Sequence, residues 1–259
     1  MKKTSFFTSL FATALLLVPL GIFAQDDERA SLTDVWYVVP KSGMNAQFEA
    51  AAKQHIAFRR DAGDTRNWQS YAAVLGSNPT VYQWRAGGLQ WADMDAYIAE
   101  DAAKGYSDHW FANVDQFVDH YHHYMEEAEF ENSKWPEGLP QRPYYGVTSW
   151  KINQAAGMDG YEARVELSKI GIEEGWEENW LWLTRTGGSP MLMVVSELEN
   201  MAAMVPPEQD FFEFVAEKRS EEEAADLFGK FSARYVDQSF TIWAHRPDLS
   251  SQQTASGDD

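Results

Sequence analysis

The chain contains no cysteine, so it can form neither a disulfide framework nor a thiolate metal site, and it has no cysteine nucleophile. Positive charge is also scarce, because 21 lysines and arginines stand against 40 aspartates and glutamates. Nucleic acid and anionic membrane surfaces both require a positive protein surface, so neither is expected as a partner. The fold must be stabilised by its apolar core, and 259 residues suffice for one large or two medium cores.

Two common catalytic signatures are missing as well. The sequence has no Gly-x-Ser-x-Gly nucleophile elbow. Gly87-Gly88 and Gly187-Gly188 lack the spacing and the following helix of a phosphate loop, so nucleotide binding is not predicted.

The long apolar run of the chain lies near its N-terminus. Lys2 and Lys3 precede it, no charge occurs from Phe6 to Phe23, and acidic residues follow. This pattern is typical of a secretory signal peptide, with residues 1–24 removed by cleavage after Ala24. The alternative is an uncleaved membrane anchor, since the run approaches the roughly 20 residues of a membrane span. We expect a periplasmic or secreted protein without a membrane segment after cleavage.

The remainder of the chain contains a pattern that occurs twice. The matching residues keep their order in both halves: Trp36, Gly43, Phe48 and Trp68 in the first, and Trp150, Gly157, Tyr161 and Trp180 in the second. The step from tryptophan to glycine is seven residues in both copies. Such self-similarity indicates a duplicated structural unit.

The hydrophobic periodicity of each copy predicts the order strand, helix, strand, strand, helix, strand. We place an N-terminal extension at residues 25–33, the first unit at 34–131, a linker with three prolines at 132–143 and the second unit at 144–246. Residues 247–259 are polar and predict a disordered tail. Within the first unit, the pattern predicts a helix from Ser107 to about Tyr124, followed by a short strand at 127–131.

This order of elements is that of a ferredoxin-like, split βαβ unit. Each unit leaves one apolar sheet face bare, which must be buried against a partner. The sequence therefore predicts an α+β fold, in which two fused ferredoxin-like repeats close into one pseudo-symmetric α+β barrel.

By this order and duplication, residues 34–246 resemble the dimeric α+β barrel superfamily. Its members include antibiotic-biosynthesis monooxygenases, NIPSNAP-like and EthD-like proteins, and haem-binding proteins such as chlorite dismutases. The resemblance implies a cavity between sheet and helices that takes a small, mostly apolar molecule. For the haem-binding members, it would place the iron-ligating histidine at His120 or His109, although no haem motif surrounds either residue.

The densest ionisable cluster is Asp119-His120-Tyr121-His122-His123-Tyr124. On the predicted helix, Asp119 and His120 each share a face with His123, and the three side chains suit a divalent metal. The alternative is a solvated helix end, whose histidines favour the C-terminal dipole. His55 and His245 are candidate general bases, and the alternative for His55 is ordinary packing on a helix flank.

Aromatic residues in predicted strands are candidates for lining a ligand pocket: Trp36, Trp68, Tyr71, Tyr82, Trp84, Trp150 and Trp180. The alternative is that they form ordinary barrel core. The first copy has more polar-tipped aromatics, so we expect ligand specificity to depend mainly on that copy.

Two classes of function compete. We expect an exported protein, monomeric or homodimeric, that binds a small apolar molecule and needs no cofactor. The alternatives are a cofactor-independent monooxygenase-like or isomerase-like enzyme, and a haem or metal protein acting through the His120 region. The sequence does not identify a substrate.

Overall fold

A computed structural model describes residues 29–251, so the predicted signal peptide at 1–24 and the last eight residues lie outside the described range. The first repeat consists of β1 (Leu32–Pro40), α1 (Asn45–Asp61), β2 (Gln69–Leu75), β3 (Tyr82–Leu89), α2 (Ala92–Lys104), α3 (Tyr106–Asn113) and β4 (Val118–Ala128). The second consists of β5 (Tyr144–Ile152), α4 (Asp159–Glu173), β6 (Trp180–Thr186), β7 (Met191–Leu198), α5 (Phe211–Lys218), α6 (Glu221–Arg234) and β8 (Tyr235–His245). Within this range, none of the helices is long and apolar enough to cross a membrane.

The strands form a closed antiparallel barrel in the order β1-β3-β2-β8-β5-β7-β6-β4. The first repeat contributes β4-β1-β3-β2 and the second contributes β8-β5-β7-β6, which is the ferredoxin-like order in both. The repeats join where β2 pairs with β8 and β4 pairs with β6. The predicted α+β barrel of two ferredoxin-like repeats is therefore confirmed.

Alternation along the strands gives the sheet two different faces. In β1, Tyr37 points into the barrel, where it meets Tyr124 and Trp243. Its neighbours Asp34 and Trp36 point outwards, towards the helices. Buried residues such as Val35 and Leu183 form a core inside the barrel, and further cores lie between the sheet and its helices.

The prediction of a helix from Ser107 to Tyr124 is wrong in its second half. The helix α3 ends at Asn113, and β4 runs from Val118 to Ala128, where the prediction had only a short strand at 127–131. Pairing with β1 makes this segment a strand, because β4 is hydrogen-bonded along nearly all of β1. The apolar–polar alternation of a strand is absent from the sequence, since β4 carries polar and aromatic residues on both faces.

Part of the predicted disordered tail belongs to the fold. Residues 247–249 form a 3-10 turn, and Leu249 is 0% exposed in the core of the first repeat. The indole Nε1 of Trp84 donates to the Leu249 carbonyl at 3.0 Å. Arg246, just before the turn, holds both carboxylate oxygens of Glu49 at 2.7 and 2.9 Å. One leucine and the hydrogen bonds of Arg246, Ser250 and Ser251 anchor this otherwise polar segment, which explains why its composition predicted disorder.

Candidate functional site

A cavity of about 320 Å³ lies between the outer face of the sheet and α1, α2 and α3 of the first repeat. Its walls are mainly aromatic: Trp36, Trp68, Trp84, Tyr97, Trp110 and Tyr121. This volume and lining are typical of a pocket for a small ligand.

The cavity exists because the helix layer of the first repeat does not close over the sheet. No residue of α2 is buried, and Tyr106 is the buried residue of α3. Ile98 and Phe111 line the cavity from these helices and remain exposed. Apolar side chains at an open mouth provide contact surface for a molecule that enters it.

The polar end of the cavity is an aspartate–histidine pair. Asp34 is buried on β1, and its Oδ1 accepts from His123 Nε2 at 2.8 Å. The other oxygen pairs with the buried Arg66 guanidinium. The His123 ring stacks on Trp36 with centroids 4.0 Å apart. In the neutral form of His123, Nε2 carries the proton shared with Asp34 and Nδ1 is an acceptor.

His55, which lines the cavity, forms a second histidine pair with His109, which does not line it. His55 is 2% exposed, and its Nδ1 lies 3.2 Å from Nδ1 of His109. Arg59 approaches His55 Nε2 at 3.5 Å. Burial, together with Arg59 and His109, lowers the pKa of His55 to about 3, so the ring is neutral at physiological pH. Both ring nitrogens of this candidate base already have protein partners.

The other candidate base, His245, lies on β8 and is not among the residues that line this cavity. Its Nε2 lies 3.0 Å from the side-chain oxygen of Gln69, and its ring packs at 5.4 Å from Tyr71. Burial lowers the pKa of His245. The two candidate bases therefore do not form one site.

The predicted pocket aromatics divide into three groups. Trp36, Trp68 and Trp84 line the cavity, and Tyr82 packs beside it against Trp84 and Phe48. Tyr71 lines a different cavity, inside the barrel. Trp150 and Trp180 belong to the packed second repeat, where Trp150 meets Phe231 and Trp180 faces Gly171.

The metal prediction rested on a shared helix face that does not exist. Asp119 and His120 are exposed on strand β4 and bond to each other at 2.7 Å, whereas His123 turns to Asp34. Across residues 29–251, no group of three or more histidines or carboxylates is arranged to hold a metal ion.

Sequence reasoning missed Asp34, Arg66, Tyr97 and Trp110, all of which contribute to the cavity or its polar end. One signal was present, since Asp34 is the single charged residue in the otherwise apolar run of β1. A charged residue in such a strand is rarely buried without a partner that pairs with its charge.

Comparison with known proteins supports the fold. No protein-family model and no curated protein matches this sequence. A candidate monooxygenase from Lactobacillus acidophilus NCFM has a TM-score of 0.50 and 6% identity, over 86% of this chain and 97% of that one. An anthrone oxidase-like protein has a TM-score of 0.50 and 10% identity, over 88% and 97%. A candidate chlorite dismutase has a TM-score of 0.50 and 12% identity, over 85% and 96%. The chain therefore has the fold of the dimeric α+β barrel superfamily.

The histidines that the family resemblance suggested for haem are not placed to hold it. An axial histidine needs one nitrogen for iron. Both nitrogens of His55 are engaged, whereas His123, stacked on Trp36, holds Asp34 with Nε2 and keeps Nδ1. His120 and His109, the positions that the family resemblance suggested, are not among the residues that line the cavity.

Proposed function

We propose that this protein binds a small, mostly apolar, neutral molecule with one hydroxyl group in the first-repeat cavity. The observation that carries the proposal is an aromatic-walled space of about 320 Å³ whose polar end is the Asp34–His123 pair. Aromatic walls favour a flat apolar body, and a single polar end orients it.

The charges around the cavity support a neutral ligand rather than an anion. Arg66 is paired with Asp34, and Arg59 donates to Asp64 at 2.6 Å. Both guanidiniums are therefore already neutralised by protein carboxylates. The acceptor that remains is Nδ1 of His123, which suits a ligand O–H donor.

Calorimetric titration with 1-naphthol and with 1-methoxynaphthalene tests this proposal. The naphthol should bind one molecule per chain, and the ether, which lacks the O–H, should bind about tenfold more weakly, a difference of about 1.4 kcal/mol. Equal affinity for the two compounds, or no saturable binding of naphthol, would contradict it.

The duplicated sequence offers a matched pair of variants. Trp36 and Trp150 occupy corresponding positions, but Trp36 is 37% exposed at the cavity whereas Trp150 is 9% exposed in packed core. Trp36→Leu should weaken naphthol binding about tenfold, since it removes a wall and the support of His123. Trp150→Leu, measured at a matched folded fraction, should leave the affinity unchanged.

A second candidate function is a cofactor-independent oxygenase, and the Asp34–His123 pair is what favours it. A carboxylate that fixes one imidazole nitrogen leaves the other to remove a proton from a bound ligand. Anthrone is a suitable probe, because one anthrone and one dioxygen give one anthraquinone and one water. C10 loses both hydrogens and gains one oxygen atom, and the second oxygen leaves as water.

Oxygen uptake with anthrone decides between binding and catalysis. Catalysis predicts uptake above the protein-free rate that is lost in His123→Gln, a variant that keeps a polar side chain but no base. Uptake equal to the protein-free rate leaves binding as the function.

We further propose that the protein is exported. The basic, apolar and acidic succession of residues 1–28 supports this. N-terminal sequencing of the mature protein should give a start near Gln25, and an intact Met1 in a membrane fraction would contradict export.

A further inference from the structure

A second cavity, of about 300 Å³, lies inside the barrel on the opposite face of the sheet from the first. It is lined by strands of both repeats and by the linker, residues 135–141, at its mouth. Its apolar walls include Leu183, Val195 and Trp243. Unlike the first cavity, it collects hydrogen-bond donors.

Two tyrosine hydroxyls supply part of this donor set. Tyr71 Oη accepts from the Gln141 amide at 3.1 Å, and Tyr145 Oη accepts from the backbone N–H of Arg142 at 3.0 Å. Among residues 29–251, neither hydroxyl has an acceptor for its own proton. Burial raises the pKa of both groups, that of Tyr145 to about 12, so both are O–H donors at neutral pH. The two rings meet edge to face at 5.7 Å, which places them on one wall.

The charge inside the barrel is unbalanced towards positive. Glu126 is fully buried, and one of its oxygens accepts from Arg85 at 2.6 Å while the other accepts from Arg185 at 3.3 Å. Burial alone would raise the pKa of Glu126, but the two guanidiniums outweigh it and lower the pKa, so the carboxylate is ionised. Two cations thus share one anion, and the Nε of Arg185 has no hydrogen-bond partner in the described residues.

The other charged residues at the cavity form pairs with partners at the surface. Glu197 accepts from Arg142 at 3.3 Å and from Asn179 at 3.0 Å, while Arg142 also pairs at 3.0 Å with the exposed Glu199, and Arg29 at the mouth lies 3.6 Å from the exposed Glu137. The buried group of Arg85, Arg185 and Glu126 therefore keeps one net positive charge inside a chain whose formal net charge is −19. Leaving a buried charge uncompensated is costly, and one negative charge in the cavity would balance it.

We propose that the barrel cavity is a second binding site, for a small organic monocarboxylate whose oxygens accept from Arg85, Tyr71 and Tyr145. The apolar body of the ligand packs against Trp243, Val195 and Leu183. A monoanion balances this single positive charge, whereas a phosphate dianion would leave an excess negative charge in the cavity. The site is separate from the first-repeat cavity and does not depend on the function proposed for it.

Calorimetry with acetate, benzoate and phenylacetate, each against its neutral amide, tests the proposal on the mature protein. At least one carboxylate should bind one molecule per chain, and its amide should bind at least about tenfold more weakly, because charge-assisted hydrogen bonds are the stronger ones. No saturable binding by any of the three acids, or equal affinity of acid and amide, would overturn it.

Substitutions locate the site. The double variant Tyr71→Phe, Tyr145→Phe keeps both rings and should weaken carboxylate binding about tenfold or more. Tyr82→Phe is the matched control, because the Tyr82 hydroxyl bonds Glu49 outside this cavity, and it should bind the acid as the parent does. Thermal unfolding of each variant confirms that the fold is intact.

A control at the other cavity completes the test. Trp36→Leu alters the first-repeat cavity alone and should leave carboxylate affinity unchanged. Loss of carboxylate binding in Trp36→Leu, or unchanged binding in the double tyrosine variant, would place the acid elsewhere and overturn the proposal.

Discussion

The two repeats share one strand order but differ in what lies between the sheet and the helices. In the second repeat, α5 buries Phe214 and Val215, and α6 buries Ala224 and Leu227. In the first repeat, α2 buries no residue, and a cavity remains. The duplication has therefore kept the sheet and changed the helix layer, and the candidate site lies where the layer is incomplete.

Glycines in α4 explain part of the difference. A Cβ at Gly160 would lie 2.4 Å from Cβ of Arg234, and one at Gly171 would lie 3.0 Å from the Trp180 ring. Alignment of Phe48 with Tyr161 places Phe58 of α1 opposite Gly171 in the repeat. Phe58 stacks on His109 of α3 at 4.1 Å. In the first repeat, the Phe58 ring thus separates α1 from α3. At the matching position of the second repeat, Gly171 has no side chain.

The same alignment places Ala51 opposite Arg164. Arg164 is 1% exposed, lies over the Trp182 ring and pairs with Glu129. A long side chain fills the second repeat where the first has a methyl group. Large differences in side-chain volume at matching positions thus accompany the change from a packed interface to a cavity.

The largest expected effect comes from breaking the polar end of the first cavity. Asp34→Asn should lower the free energy of unfolding by about 3–5 kcal/mol, because it leaves the Arg66 charge buried without its carboxylate. Urea denaturation measures the loss. Asp119→Asn, at an exposed position of β4, should change stability by less than about 0.5 kcal/mol. Similar losses of stability in both variants would contradict a stabilising role for the Asp34–Arg66 pair.

His55 should make the first repeat sensitive to acid. Its folded pKa, about 3, lies below the unfolded value of 6.5, so the unfolded state binds a proton first as pH falls. The stability due to neutral His55 is therefore complete above pH 6.5 and decreases towards pH 3, by up to about 1.4 kcal/mol per pH unit. In His55→Gln, the slope of unfolding free energy between pH 6 and pH 4 should be flatter by about that amount. A slope in His55→Gln equal to that of the parent would contradict the account.

Glycine substitutions in the helices of the second repeat should have a smaller effect on stability. Gly160→Ala should destabilise the protein by about 1–3 kcal/mol, because the new methyl group meets backbone and Cβ atoms of α6. Gly229→Ala, in α6 with open space around it, should instead stabilise by about 0.5–1 kcal/mol. Unfolding midpoints of the two variants should therefore move in opposite directions. A neutral Gly160 variant would mean that α4 and α6 are not in close contact.

The smallest effect is expected at Arg164. Its Nε and Nη1 are buried without partners in the described residues, so this ion pair gains little from its burial. Methionine fills a similar space without polar atoms, and Glu129 remains partly exposed to water. Arg164→Met should change the free energy of unfolding by less than about 1 kcal/mol. A loss of 3 kcal/mol or more would show that Arg164 holds the second repeat together.

The sequence was sufficient to predict the barrel, because the repeated tryptophan–glycine spacing and the order of elements are local patterns. It was insufficient for β4, whose polar residues face a cavity on one side and the barrel interior on the other. It also could not pair Asp34 with His123, which are 89 residues apart and meet through the register of β1 and β4. The different packing at Phe58 and Gly171 could not be predicted from the sequence, because it depends on which residues the fold places at corresponding positions of the two repeats.

The central claim is that the first repeat keeps an apolar cavity where the second is packed. Crystals of the protein under xenon pressure test this directly, because xenon occupies apolar cavities large enough to hold it. The account predicts xenon between the sheet and α1–α3, in contact with Trp84 and Trp110, and none between the sheet and α4–α6. Xenon in the second repeat, or none beside Trp84, would contradict it.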